Sequence, residues 1–409
     1  MAASTALASR ALAFGPDKSL ALLRDGYQFW QNLRDQRGSD VVRARLLHER
    51  ATCIRGGDAA RFFYEEPRLE RSSALPAPIV GTLFGHGAVH TLDADQHVHR
   101  KSLFTDLLTA EAVGAIAAEV GRRWDERAPT WRGETELFEE ASAILLGAVG
   151  AWLGLPIHAE DAAGRAADML AMVDGFGSPG ARHWRGHRAR GRTEHWMEGV
   201  LQDIRDGGSH EAPIGTVALF RDGGGELLPV HTAAVEAINL VRPTVAISWL
   251  LSGVALAFDS WPHLREDLAS GTISALDLAQ EVRRCYPVAP FLAARATEDL
   301  EWSGEPIPAG SLVVLDLWGT DHDPRIWPDP FRFDPTRFQQ TPVTPFNLVP
   351  QGGGDRNRGH RCPGEDVTLA VLITLIPRVA GLSYAVVGER PGLRRMPPRP
   401  TCRIDVRSA

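Results

Sequence analysis

From Val41 to Gly56 the chain reads VVRARLLHERATCIRG, in which apolar and polar residues alternate with the two-residue period of a pleated strand. The alternation predicts two short strands joined at His48 and Glu49, and so a small sheet near the N-terminus. Between Ala110 and Gly271 the period lengthens to that of amphipathic helices, as in EAVGAIAAEVGRRW and ASAILLGAVGAWLGL, with Gly and Pro clusters at the joints. Beyond Glu281 the chain turns Pro-rich and irregular. One strand is predicted over Ser311 to Leu317, a loop segment from Asp321 to Phe338, and a last apolar helix from Val367 to Val379. With no internal repeat and no low-complexity linker, residues 1–409 read as one mainly α domain with small β-sheets. The start, MAASTALASRALAFGPDKS, is expected to be a flexible leader through residue 14, because Arg10 interrupts its apolar part before a signal-like core can form.

Composition narrows the classes. A chain of 409 residues that is 44% apolar can bury a large core. Its longest apolar stretch, Val241 to Phe258, is broken by Arg242, Pro243 and Ser248 and falls short of the ~18 uninterrupted apolar residues of a span, so no membrane span is expected. Lys and Arg total 44 against 51 Asp and Glu, a formal charge of −7, and no basic stripe is interleaved with aromatics, so nucleic acid is not expected as a partner. The one basic run, Arg182, Arg185, His187, Arg188, Arg190 and Arg192, reads as the solvated face of a helix. Four scattered cysteines, Cys53, Cys285, Cys362 and Cys402, form no CxxC pair or disulfide framework and suit the reducing cytoplasm. His183 and His187 stand at helical spacing but have no carboxylate with them, which argues against a metal site.

The most informative stretch is QGGGDRNRGHRCPGE, Gln351 to Glu365, where a glycine-rich turn precedes a lone cysteine that opens a helix. Amide N–H groups and the positive end of the helix dipole, with His360 and Arg361 beside them, are expected to lower the thiol pKa of Cys362. An anionic sulfur there can bind iron or act as a nucleophile. A buried inert cysteine fits poorly with glycines and charges on both sides.

These residues resemble the cytochrome P-450 superfamily, whose cysteine loop carries a basic residue two before the cysteine and a glycine two after it, as His360, Cys362 and Gly364 do here. The family's usual Phe seven places before the cysteine is replaced by Asp355. Glu281 and Arg284 form its E-x-x-R pair, with both charges on one helix face. WPDPFRFDPTRF, Trp327 to Phe338, is similar to its meander, with Phe333, Pro335, Arg337 and Phe338 in place. The resemblance implies the P-450 fold, with a haem b held between a long distal helix and the cysteine-loop helix. It implies Cys362 as ligand to the iron, and Arg337 completing a structural charge triad with Glu281 and Arg284. His97 and Lys101, at i and i+4 in HVHRK, would point to the haem propionates, joined by Arg71 and His360.

Oxygen-activating members carry an acid and an alcohol midway along the distal helix. AINLVRPTVAISWLLSGVALAF has Arg242 and Pro243 there. A proline inside a helix costs ~3 kcal/mol and kinks it, and a purely structural kink accounts for Pro243 but not for the adjacent charge. A buried arginine needs an anion, and the only nearby acid in sequence is Glu236 at some distance. The missing anion is read as a substrate carboxylate, which could pass a proton between the oxygens of peroxide, so that no reductase is required.

With the Arg-Pro pair, the QGGG…GHRCPGE loop and LFGHGAVHTLD (Leu83 to Asp93), the resemblance narrows to the bacterial fatty-acid peroxygenases. It implies that Arg242 and Pro243 sit at the reacting end, that Arg242 binds a long-chain fatty-acid carboxylate, and that Phe84 faces the substrate. His90 falls where some hydroxylating members have Gln and alkene-forming ones have His. An imidazole titrating near neutrality there could trade protons with the substrate. The acyl channel is expected to draw on Leu75, Leu83, Phe84, Val173, Phe176 and Phe291, a composition that core packing also predicts. The implied activity is hydroxylation at the α or β carbon by hydrogen peroxide, with decarboxylation to terminal alkenes alongside and no obligatory redox partner. A reductase-dependent monooxygenase and a non-catalytic haem-thiolate sensor are the other readings these residues allow.

Overall fold

The N-terminal alternation forms a hairpin. Val42–Leu46 pairs antiparallel with Glu49–Ile54 across a turn at Leu47 and His48, which both take positive φ (50° and 67°). The structure, a computed structural model, describes residues 14–209, 211–401 and 403–406. The hairpin extends into a five-stranded sheet: Glu49–Ile54 runs parallel to Leu312–Asp316, which pairs antiparallel with Phe291–Ala296, and that strand with Leu69–Glu70. Leu312–Asp316 is the middle strand and is buried along its whole length, as its continuous LVVL run requires.

The expected leader needs correction at its end. Phe14 is buried, and the Asp17 carboxylate accepts hydrogen bonds from the Ser19 and His48 amides at 2.8 and 2.7 Å, which ties the chain to the hairpin turn. Residues 1–13 lie outside the described residues.

Two apolar clusters hold the helices together. One gathers Ala110–Arg127, Leu137–Leu153, Ile247–Ser260, Ala275–Cys285 and Glu365–Ala380; the other joins Leu137–Leu153 to Ala159–Gly175, Ala181–Arg205 and Val230–Val245. Val230–Ser260 is long and apolar enough to cross a membrane, but 89% of its apolar window is buried within the fold, as for a core helix. The interruption falls at Ala246, three residues after Pro243, where the Ala246 amide still bonds to the Arg242 carbonyl at 3.0 Å.

Two small sheets are not visible in the apolar pattern. Leu300–Trp302 pairs with Glu305–Ile307, and Arg403–Val406 lies between Gly133–Thr135 and Tyr384–Val387. The Pro-rich tail is thus stitched to a turn some 270 residues earlier in sequence, with Ile404 opposite Thr135.

Candidate active site

Ser274 and Asp277 close a capping box at the start of Ala275–Cys285: the Asp277 amide donates to Ser274 Oγ at 3.1 Å and the Ser274 amide to the Asp277 carboxylate at 2.9 Å. On this helix Glu281 and Arg284 are fully buried and joined by two bonds of 2.7 Å, and Arg337 Nε meets Glu281 at 3.2 Å. Further guanidinium protons go to backbone carbonyls, Arg284 to Asp321, Pro330 and Arg332, Arg337 to Pro328 and Arg332. A buried triad is tolerable only when satisfied in this way. Its neighbour Arg283, not singled out in sequence, is equally buried and reaches the other way, to the Gln351 side chain at 3.0 Å and to Glu365 in an ion pair. The first arginine of EVRR, beside the Arg284 of the pair, was its only signal.

The cysteine loop lies against this helix. Cys362 is half-buried, its amide donating to the Gln351 carbonyl at 3.1 Å. The helix begins at Glu365, three residues beyond Cys362. The turn is shaped by close approach: a Cβ on Gly352 or Gly354, both at positive φ, would meet the Tyr64 side chain at 2.6 or 3.0 Å. The thiol pKa is not lowered as expected. Burial pushes it up, and the Gly364 amide and the charges of Lys101 and Arg283 only partly offset this, while Arg361 is taken up by Glu365 at 2.6 Å.

Ala94–Leu107 brings His97 and Lys101 to the same place, both buried. The His97 ring stacks on His360 at 3.8 Å, and Lys101 Nζ donates to the Gly359 carbonyl and, at 2.6 Å, to that of Arg361. Arg71 is buried with its guanidinium 4.0 Å from the Phe63 centroid. Burial lowers Lys101 to about 8 and His97 to about 3, and lowers Arg71 and His360 as well. Asp93, the last residue of LFGHGAVHTLD, is the organiser missed in sequence: its carboxylate accepts from the Arg71 and Ser72 amides at 2.8 and 2.9 Å and lies 3.7 Å from His360 Nε2.

On the distal side Arg242 is buried (4% exposed), with Nη1 lacking any hydrogen-bond partner among the described residues and its guanidinium 5.7 Å from the Phe84 ring centroid. Burial first, then the charge of Arg190, pulls its pKa down to about 9; the field of Cys362 raises it. Glu236 is not its counter-charge: that carboxylate is held by Arg100 at 3.0 Å. Phe84 lies against His90, ring centroids 4.3 Å apart. Burial and the cations Arg242 and Lys101, with His360 and His97, hold His90 well below the ordinary imidazole range, so it is neutral at pH 7 and does not titrate near neutrality as expected.

The predicted acyl lining divides. Leu83 packs on the helical cluster that contains Val173, while Phe291 packs against Trp30 at 6.3 Å in the cluster under the N-terminal sheet. Val288, not singled out in sequence, packs on the Leu83 side. Leu75 and Phe176 are half-buried. The basic run is solvated at Arg185, His187, Arg188 and Arg192, but Arg190 is buried, with Glu194 at 2.6 Å and the Leu83 carbonyl at 3.1 Å, and Arg182 bonds to Asp174. The rings of His183 and His187 stand 6.2 Å apart, and among the described residues no group of three or more metal-ligating side chains occurs.

The profile of the family described as Cytochrome P450 matches residues 278–373. Rhazimal synthase of Alstonia scholaris is 42% identical over 90 residues, 21% of this chain and 17% of that protein. Geissoschizine oxidase of Catharanthus roseus is 38% identical over 90 residues, with the same two shares. The match thus spans about a sixth of the length of these curated relatives. Solved structures match far more. Cytochrome P450SP alpha (CYP152B1) in complex with (R)-ibuprophen has a TM-score of 0.92 at 37% identity over 96% of this chain and 99% of that one. Cytochrome P450EX alpha (CYP152N1) with myristic acid gives 0.90 at 36%, over 96% and 98%. Ligand-free cytochrome P450 OleT gives 0.92 at 31%, over 97% and 98%. Likeness of this extent over nearly the whole length, together with the cysteine loop, the charge triad and the helical fold, means that the chain belongs to the cytochrome P450 family, in its CYP152 group.

Proposed function

We propose that this protein is a haem-thiolate peroxygenase that uses hydrogen peroxide to hydroxylate long-chain fatty acids at the α or β carbon, with decarboxylation to terminal alkenes as a competing outcome. The observation that carries the proposal is Arg242, a buried guanidinium with no carboxylate partner among the described residues, on the Val230–Val245 helix and within the electrostatic field of Cys362. Desolvating a cation without an anion is costly, so such a site is built for an anion that arrives with the substrate. The neighbour bound to myristic acid and the one bound to a carboxylic-acid drug support a carboxylate as that anion.

The family's cofactor is haem, and the residues suit it. A macrocycle bearing two carboxylates needs donors, which Arg71, His97, Lys101 and His360 would supply; its iron needs a soft ligand, which Cys362 would supply from a loop that Gly352 and Gly354 let pack closely on Tyr64. When bound, haem supplies transfer of an oxygen atom from peroxide to a C–H bond.

The protein's own groups do the rest. Arg242 holds the carboxylate by charge-assisted hydrogen bonds and so places the first carbons of the chain nearest the reacting centre. The bound carboxylate takes up and returns a proton, filling the role of the acid and alcohol that this helix lacks. Neutral His90, whose Nδ1 has no hydrogen-bond partner among the described residues, offers a ring nitrogen for a hydrogen bond beside it. The equations balance without an electron donor: RH and H2O2 give ROH and H2O, and RCH2CH2COOH and H2O2 give RCH=CH2, CO2 and two H2O. No redox partner is then obligatory. One domain over residues 1–409, working in the cytoplasm where Cys362 stays reduced, completes the reading. Among the described residues Cys53, Cys285 and Cys362 form no disulfide, which agrees with it.

The test is product analysis with a series of saturated fatty acids. Peroxide alone should give 2- or 3-hydroxy acids or terminal alkenes; product with an electron donor and dioxygen but none with peroxide would overturn the proposal.

A further inference from the structure

We infer that Glu236 is a positioning residue that determines which carbon of the substrate reacts, by clamping the Phe84–His90 segment to the Arg242 helix; this rests on the fatty-acid reading above. Glu236, Asn239 and Arg242 recur every third residue on Val230–Val245 and form one buried polar stripe. Each meets the same segment. The Glu236 carboxylate accepts from the Val89 amide at 2.8 Å, next to His90, and Asn239 Nδ2 donates to the Phe84 carbonyl at 3.0 Å. Between these two anchors the Phe84 ring lies under the Arg242 guanidinium and against His90.

The clamp is braced from outside. Arg100 pairs with Glu236 at 3.0 Å and also donates to the Gly87 carbonyl at 3.2 Å, while Arg190 donates to the Leu83 carbonyl at 3.1 Å. Gly85, with φ of 86°, lets the backbone come so close to Arg190 that a Cβ would meet its Nη2 at 2.1 Å. Glu236 is thus wholly buried and turned away from the open guanidinium, yet it fixes the two side chains, Phe84 and His90, that flank the carboxylate and the first carbons. A carboxylate anchor alone sets the distance from the head group. The walls beside it set which C–H bond points at the oxidant, and a shift of about 1 Å is enough to change rates by up to ~100-fold.

Two double variants separate positioning from folding. Arg100→Met with Glu236→Leu removes both charges and leaves the Val89 amide without its acceptor, whereas Arg100→Met with Glu236→Gln removes the charges but keeps a carbonyl oxygen for that amide. In the Leu form, hydrogen exchange of the 85–92 segment should rise about tenfold. The α to β to alkene ratio should change at least ~3-fold with fatty-acid affinity held within a similar factor, and the Gln form should restore both towards wild type. Faster exchange with an unchanged product ratio, or a Gln form that behaves like the Leu form, would overturn the inference. If the wild-type protein turns over no fatty acid with peroxide, the functional reading fails on its own; unchanged exchange in the Leu form overturns the clamp whatever the substrate.

Discussion

The Arg242 guanidinium carbon lies 5.7 Å from the Phe84 ring centroid, an aromatic face where a carboxylate would be expected. A ring quadrupole offers a cation ~0.5–2 kcal/mol, far less than burial takes away, so the residue is held in a destabilised state in the absence of an anion. Arg242→Ala should therefore lower kcat/KM for peroxide-driven fatty-acid oxidation by ~10²-fold or more, as expected when a charged partner worth 2–5 kcal/mol is removed. Arg242→Met, which keeps the volume, should raise the unfolding free energy without fatty acid by on the order of 1 kcal/mol. Steady-state kinetics and denaturant titration read the two effects. Full turnover with unchanged fatty-acid affinity in Arg242→Ala would remove the anchor role.

How much of this site was legible in sequence depends on whether a residue's chemistry or its packing defines it. Cys362, the Glu281–Arg284–Arg337 triad and the Arg242–Pro243 pair stand in short local patterns, and the triad meets as those patterns required. The anion-starved state of Arg242 also follows from one charge in an apolar helix. Asp93 and Arg283 escaped notice because their partners, the Arg71 and Ser72 amides and Glu365, are remote in sequence. The pKa directions of Cys362 and His90 were misjudged because local charges are readable and burial is not; in both, desolvation is the larger cause. The C-terminal sheet was missed for a similar reason: its strands are three or four residues long, too short for a period, and owe their existence to the pairing of Arg403–Val406 with Gly133–Thr135 on one side and Tyr384–Val387 on the other.

A part for His90 in the choice between hydroxylation and decarboxylation predicts a change of product on its replacement. With its pKa held well below 6.5 it is a neutral imidazole at pH 7, packed against Phe84 and subject to the field of Arg242. His90→Gln retains a hydrogen-bonding side chain and loses the basic nitrogen. The alkene fraction should fall several-fold relative to hydroxy acid while total peroxide-driven turnover stays within about tenfold. Gas-chromatographic product ratios at fixed peroxide check this; an unchanged ratio would mean that the imidazole takes no part in the choice.

The triad predicts a structural phenotype with little direct effect on chemistry. Glu281 is the shared acceptor of Arg284, Arg337 and the Asp334 amide, so Glu281→Leu leaves two guanidinium groups buried without their anion. A loss of ~3–5 kcal/mol is expected, appearing as failure to retain haem and as a lowered denaturant midpoint. Arg283→Met, which removes one partner each from Gln351 and Glu365 beside the cysteine loop, should instead perturb the thiolate-ligated haem spectrum with a smaller loss of stability. Equal stability losses with an unaltered spectrum in Arg283→Met would show that Arg283 does not support the loop.

Acid sensitivity should come partly from a buried histidine, His322. His322 is 4% exposed, its Nδ1 lies 2.9 Å from the Trp318 carbonyl, and its ring lies 3.6 Å from the Trp318 centroid. Burial, then the field of Arg284, lowers its pKa from 6.5 to about 3. Because the folded pKa lies below the unfolded one, the unfolded chain takes up this proton first as pH falls. His322 therefore leaves stability untouched above pH 6.5 and lowers it from there towards pH 3, by at most ~1.4 kcal/mol per pH unit. Asp321 next to it is pushed up to about 8 by burial and titrates in the opposite sense, so the total slope does not isolate the histidine. Comparing wild type with His322→Phe does, because Asp321 is common to both. Unfolding free energies at pH 7, 6, 5 and 4 should show the wild type losing stability faster than His322→Phe below 6.5 and in parallel with it above. Parallel curves throughout would mean that this imidazole can be protonated without unfolding its surroundings.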